Sequence, residues 1–326
     1  METRTLGCTG LVSSAIGLGG FGFAGAYGRA DPAEAIRTIR AALDMGLTLL
    51  DAADFHANGK VESLVGRALG RRRDDAVISV RGGIRRSRSG GLAETDCSPR
   101  FLAVACRSSL RRLRTSHIDL YYLAGTDPKV PIEDSVGALA ELVAAGLVRH
   151  IGVSAASAEA LRRAHAVHPV AAVVGEYSLL ATHAEQELLP AARELGVGLV
   201  ASGPLGCGFL TGRLGSRQQL EPGDIRRGHP WFHDENLGRH AGAIRAAEKA
   251  AAGRDIGLPR LALAWVLSQG DDIVPVPGTR SPVHAELNAA AASTRLTPLE
   301  SDKLVAQFAA MAPTSPGNWV TAACQR

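Results

Sequence analysis

Three consecutive stretches decide how this chain is read: IDLYYL at 118–123, PIEDSVGALAELVAAG at 131–146 and VRHIGVS at 148–154. The outer two are short apolar runs of strand length, rich in β-branched and aromatic residues. The middle one is amphipathic, opens behind Pro131 and closes at Gly146, as a helix does. Strand, helix and strand in that order make the unit of a parallel sheet. Working outward, the alternation recurs, with further apolar runs at 15–18, 47–51, 76–80, 170–176, 198–201 and 273–276. Asp31 before Pro32 reads as an N-cap with proline at the first helical position, in a helix that runs to Gly46. Ser98-Pro99 opens another that reaches Leu113. Eight strand–helix units predict an α/β fold, a (β/α)8 TIM barrel, with residues 1–326 as a single domain. A doubly wound sheet would need a glycine-rich turn with an acidic residue at the second strand end. Gly17-Leu18-Gly19-Gly20-Phe21-Gly22 has the glycines without that context.

The 326 residues are 46% hydrophobic and 21% charged, ordinary for a globular chain, and no run reaches the roughly 18 apolar residues of a membrane span. METRTLGCTG at the start lacks the basic and apolar regions of a secretion signal. Cys8, Cys97, Cys106, Cys207 and Cys324 stand apart with no C-x-x-C pair. That pattern fits a reducing cytoplasm, not a disulfide framework or a zinc site. The net charge is +4, yet only Lys60, Lys129, Lys249 and Lys303 are lysines; abundant Arg, Ala and Gly point to a GC-rich bacterial genome. Arginines cluster at Arg71-Arg72-Arg73, at Arg85-Arg86-Arg88 and at Arg111-Arg112-Arg114. With 4% aromatics and no nucleic-acid-binding module, nucleic acid is not an expected partner. A small-molecule substrate is expected, an anionic one if the Arg85-Arg86-Arg88 loop takes part; otherwise that run is a solvated face. No apolar helix stripe stands out to define an oligomer.

In a barrel the chemistry gathers at the carboxyl ends of the strands. Those ends carry Asp51, Asp54 and His56 after the second run and Arg81 after the third, Gly125 and Asp127 after the fourth, then Ser154, then Glu176 with Tyr177. Asp51, His56 and Arg81 read as an acid–base centre: His56 moves the proton, Asp51 orients it, and Arg81 stabilises an anion or enolate. The bland alternative is a set of polar residues that satisfy one another. Asp51, Asp54 and His56 have ligand types without the spacing of a metal motif, so no metal is expected. Cys207 lacks a predicted neighbouring cation and reads as inert.

These positions sit inside longer matches: Leu50-Asp51-Ala52-Ala53-Asp54, Glu62 to Leu69, Ser109 to Leu113, His117 to Tyr122, Arg149 to Ser154, Pro204-Leu205-Gly206, Gly208 to Gly212 and Pro277-Gly278-Thr279. Over essentially the whole chain the sequence resembles the aldo-keto reductases. The resemblance implies the (β/α)8 barrel with a short N-terminal β-hairpin and extra C-terminal helices, and hydride transfer from NADPH to a carbonyl by an Asp, Tyr, Lys, His tetrad. Asp51 stands at the aspartate's place. His56 stands at the tyrosine's, Arg81 at the lysine's and Ala124 at the histidine's. At the nicotinamide end, where the family has a Ser-Asn or Ser-Glu pair, a glutamine and a stacking aromatic, this chain has Ser154 with Ala155, Val174 and Ser202. The phosphate end is closer to the family: Pro204, Leu205, Gly206, Gly208, Leu210, Gly212 and Arg213 match the pyrophosphate loop, and Gly278, Thr279, Arg280 and Ser281 the 2′-phosphate loop. Asn288 matches an adenine contact and Gly20 completes the cofactor set. The implied substrate pocket comprises Phe21, Phe23, Asp54, Phe55, Arg85, Ala124, Glu176, Ser202 and Trp231, although loop anchoring explains Trp231 equally well.

Three readings follow from a phosphate site joined to an altered reactive end. The leading one is an enzyme of this fold that no longer reduces but catalyses a non-redox acid–base reaction (dehydration, epimerisation or cyclisation) on a small oxygenated metabolite in bacterial specialised metabolism. In that case the groove is either a remnant that takes no cofactor or still takes NADP(H). A second is an NADPH-dependent reductase with a weakened site and His56 as proton donor. The third is a non-catalytic binding or regulatory protein, as the potassium-channel β subunits of the family are.

Overall fold

The Asp31 carboxylate accepts the Ala33 amide at 2.8 Å, and Pro32 follows it, opening α1 (Pro32–Asp44). Gly46, at φ 82°, lets the chain leave that helix in the left-handed region. The structure is a computed structural model that describes residues 1–85, 94–154 and 157–309. After α1 come α2 (Lys60–Leu69) and α3 (Pro99–Leu113), the latter capped where Ser98 Oγ accepts the Phe101 amide at 3.4 Å. Then α4 (Ile132–Ala144) runs up to Gly146 at φ 70°.

Between the helices run eight parallel strands: β1 (Leu18–Gly19), β2 (Leu49–Ala53), β3 (Val77–Gly82), β4 (Ile118–Ala124), β5 (Val148–Ser154), β6 (Val170–Glu176), β7 (Gly198–Ser202) and β8 (Ile273–Pro275). They neighbour one another in chain order. The Gly17 amide donates to Pro275 O at 2.9 Å and the Gly19 amide to Pro277 O at 3.1 Å, so first and last strands join and the barrel closes. Leu49, Leu120, Tyr122, Val174, Val200 and Val274 point into the barrel, and a larger apolar layer fills the space between strands and helices. Each such Leu or Val contributes about 1.5–3 kcal/mol by burial. The expected N-terminal hairpin pairs Thr3–Leu6 with Leu11–Ser14, and its Leu6 and Leu11 plug the amino end of the barrel. At the other end of the chain lie the helices Pro282–Ala289 and Pro298–Ala309. No helix of the described residues is long and apolar enough to cross a membrane.

Two expected strands are displaced. The runs at 15–18 and 47–51 become Leu18–Gly19 and Leu49–Ala53. Ala15, Ile16 and Leu47 are buried, but in the connections that lead into the strands. An apolar residue in a buried connection looks, in sequence, like one in a strand. The shift carries Asp51 from the last residue of its strand to the middle of it.

Candidate active site

Side-chain alternation along β2 and β3 sends Asp51, Ser79 and Arg81 into the barrel. Asp51 and Ser79 are register partners, and Arg81 is paired with Ala53. Ser79 Oγ donates to Asp51 Oδ1 at 2.8 Å and Arg81 Nη2 donates to Asp51 Oδ2 at 2.5 Å. Both side chains of this ion pair are almost fully buried, so each charge depends on the other. Arg81 Nε makes no hydrogen bond among the described residues. The expected trio is thus rearranged. Asp51 belongs to Arg81 and Ser79, whereas His56, only 2% exposed, packs against the rings of Phe21 and Phe55 at centroid distances of 5.1 and 5.2 Å.

Asp54, expected in the pocket wall, faces outward. Its carboxyl lies beside the Gly82 backbone and the Tyr121 side chain, on the outer side of the sheet. Burial, and then the charge of Glu62, push its pKa up to about 8. Glu62 is itself fully buried and paired with Arg112.

A cavity of about 260 Å³ opens above the Asp51–Arg81 pair. Phe21, Asp51, Arg81, Ser202, Pro204, Leu205, Gly208, Gly278, Thr279 and Arg280 line it, all of them expected site residues. The other expected residues surround it. Gly20 donates its amide to Asp51 O at 2.8 Å. Phe55 and Ala124 form a small apolar cluster with Ala53, next to Phe21. Ser154 and Glu176 are buried at the ends of β5 and β6, Gly206 and Leu210 are buried in the loop that follows β7, and Asn288 in the helix that follows β8. Gly212 ends that loop at φ 69°, and Ser281 precedes the helix Pro282–Ala289 without a side-chain capping bond. Phe23 is core. Trp231 stacks on His240 at 5.4 Å and meets Phe209 at 5.5 Å, so it anchors the segment after β7 and does not line the cavity. Arg85 pairs with Asp96 and covers the Phe101 ring at 5.1 Å, outside the cavity. Arg86, Arg88 and Ala155 lie outside the described residues.

Among the other lining residues are Tyr27, Arg226 and His284, which no sequence motif marks. Arg226 pairs with Asp224 at 2.6 Å, donates to Cys207 O at 3.1 Å and lies 4.8 Å over the Tyr27 ring, strapping the β7 loop down. The Asp224-x-Arg226 spacing was its only sequence signal. His284 Nε2 meets Arg213 Nη1 at 3.0 Å, which adds a cation beside the Arg280 end of the cavity. Burial pushes the Cys207 thiol up to about 11, a poor nucleophile.

The fold family implies NADP(H), and the two ends of the cavity answer differently. Gly203, Gly206 and Gly208, at φ 60°, 54° and 93°, leave three positions of the loop without a Cβ, and Arg280 and Arg213 supply positive charge, Arg213 donating to His284 Nε2. This end fits phosphate groups. At the ring end, Ser202 Oγ donates to Gly175 O at 3.1 Å, Val174 is barrel core and Ala124 offers no polar atom. Ser202, Val174 and Ala124 carry no aromatic ring to stack on a nicotinamide and no side-chain amide to read its carboxamide.

A family model described as the aldo/keto reductase family matches residues 15–307. A probable aldo-keto reductase 1 of Glycine max is 38% identical over 296 residues, covering 90% of this chain and 84% of that one. Among solved structures, a glycerol dehydrogenase of Gluconobacter oxydans superposes with a TM-score of 0.87 at 28% identity, covering 97% of this chain and 98% of the other. An aldo/keto reductase of Klebsiella pneumoniae, in complex with NADP and acetate, gives 0.75 at 25% identity, covering 97% and 99%.

Proposed function

The chain belongs to the aldo/keto reductase family, and from that premise we propose that it is a cytoplasmic enzyme of non-redox acid–base chemistry on a small oxygenated metabolite. The reaction class is dehydration, epimerisation or cyclisation. One observation carries this reading: a guanidinium, Arg81, lines the floor of the pocket and is held there on a fixed, buried carboxylate. Such a group cannot donate its proton as a tyrosine does, but it holds an oxygen atom that becomes negative when a proton leaves the neighbouring carbon. Asp51 fixes the guanidinium in place, and Ser79 fixes Asp51. His56, behind Phe21, is the group of suitable chemistry to take the carbon-bound proton once Phe21 turns aside. The cationic end of the cavity favours an anionic substrate. Ser202 and Val174, in place of an aromatic ring and a glutamine at the nicotinamide end, support a reaction without hydride transfer.

Proton exchange tests the reading. The protein is incubated in D2O with a panel of carbonyl compounds bearing an exchangeable α-hydrogen, and mass gain is followed. Exchange by the wild type, lost in Arg81→Lys and weakened in His56→Ala, is expected. NADPH oxidation without exchange would replace it with the second reading, a reductase using His56, which the phosphate-fitting loops favour. Neither activity across the panel leaves the non-catalytic alternative.

A further inference from the structure

Tyr121 and Tyr122 are adjacent on β4 and point to opposite faces of the sheet. Tyr122 is fully buried inside the barrel, its ring laid against Gly152 of β5 so closely that a Cβ there would collide with it. Its register partner on β3 is Arg81. Burial, and then the charge of Asp51, push its hydroxyl well above the usual tyrosine range, with the charge of Arg81 acting the other way. Neither Tyr122 Oη nor Arg81 Nε makes a hydrogen bond among the described residues, although both atoms are buried. Two buried donors on register partners of neighbouring strands, both within reach of the Asp51 charge, are the kind of groups that an internal water satisfies.

We propose that Tyr122 and Arg81 together hold one water molecule beneath the pocket floor, and that this water carries the proton to a ligand oxygen seated on Arg81. The second half rests on the reading of Arg81 given above. The water accepts hydrogen bonds from Arg81 Nε and Tyr122 Oη and keeps its own hydrogens for the ligand oxygen and for Asp51. When that oxygen becomes an enolate or alkoxide, an O–H bond of the water breaks as the ligand O–H bond forms. The Tyr122 O–H bond breaks in turn and restores the water. The tyrosinate left behind sits beside the Arg81 guanidinium and regains a proton from solvent after product leaves. Tyr122 is therefore a positioning residue that acts through the water, supplied by a strand where the family's tyrosine would come from a loop.

High-resolution crystal structures of the wild type and of Tyr122→Phe, with acetate as a carboxylate stand-in for the ligand oxygen, test this. The wild type is expected to show a water at about 3 Å from both Tyr122 Oη and Arg81 Nε, absent or displaced in the variant. Calorimetric acetate affinity is expected to fall about five- to tenfold in Tyr122→Phe, with little change in Tm because the ring against Gly152 is kept. A dry gap, a direct Tyr122–Arg81 bond, or equal acetate affinity in the two proteins overturns the proposal. If the wild type binds no acetate while the water is present, the reading of Arg81 as the oxygen holder, and the proton transfer built on it, fails and the water site stands.

Discussion

The loops after β7 and β8 and the carboxyl halves of β2 and β3 meet in one cavity, yet they are held together by different physics. The β7 loop owes its shape to glycines at positive φ, with Arg226 tying it from above. The strand ends owe theirs to buried side-chain pairs, Asp51 with Arg81 on the inside and Glu62 with Arg112 outside. Backbone cradles tolerate changes in neighbouring side chains, whereas a buried ion pair tolerates almost none, since either partner alone is an uncompensated charge. The side of the pocket built from side chains is therefore the one whose residue types define the chemistry.

That contrast can be broken most sharply at Arg81. Arg81→Met leaves Asp51 buried without its counter-ion and is expected to lower stability by about 3–5 kcal/mol in urea unfolding. A loss below about 1 kcal/mol would mean that water already reaches the pair. Asp54→Asn is expected to act in the opposite direction. With its folded pKa raised to about 8, Asp54 binds more protons folded than unfolded, so wild-type stability falls as pH rises from about 4 and levels off above about 8. The Asn variant lacks that fall, and its advantage should grow over the same range to a few kcal/mol. An advantage independent of pH would remove the raised pKa.

On the loop side the effects are smaller and fall on binding. Gly208→Ala meets both a positive φ and Arg226 Nη1 at 3.1 Å, and should lower stability by about 1–2 kcal/mol and weaken NADP⁺ binding in calorimetry. Unchanged binding would show the loop is not a phosphate cradle. The least effect belongs to His284, whose pKa is lowered by burial and by Arg213. Acidification should protonate it and tighten NADP⁺ binding about two- to fivefold, a gain that His284→Asn should abolish.

Much of this was legible beforehand. Caps at Asp31 and Ser98, glycines at 46 and 146 and strand-length apolar runs express local preferences that the fold obeys. Ten of the residues expected at the site line the cavity, because loops that follow barrel strands have nowhere else to converge. Asp54 was misjudged because its direction depends on where β2 begins, and a shift of two residues in the strand is invisible in an apolar run. Arg226 and His284 were missed because long-range contacts, not motifs, bring them to the cavity.

The sequence by itself determined the barrel, the order of its strands and the residue types at their carboxyl ends, since periodicity and capping act over a few residues at a time. Only the tertiary structure decided who meets whom: Asp51 with Arg81 and Ser79, Asp54 outward toward Glu62, Tyr122 inward against Gly152. Those choices follow from strand register and from the cost of burying an unpaired charge, and both act between residues distant along the chain.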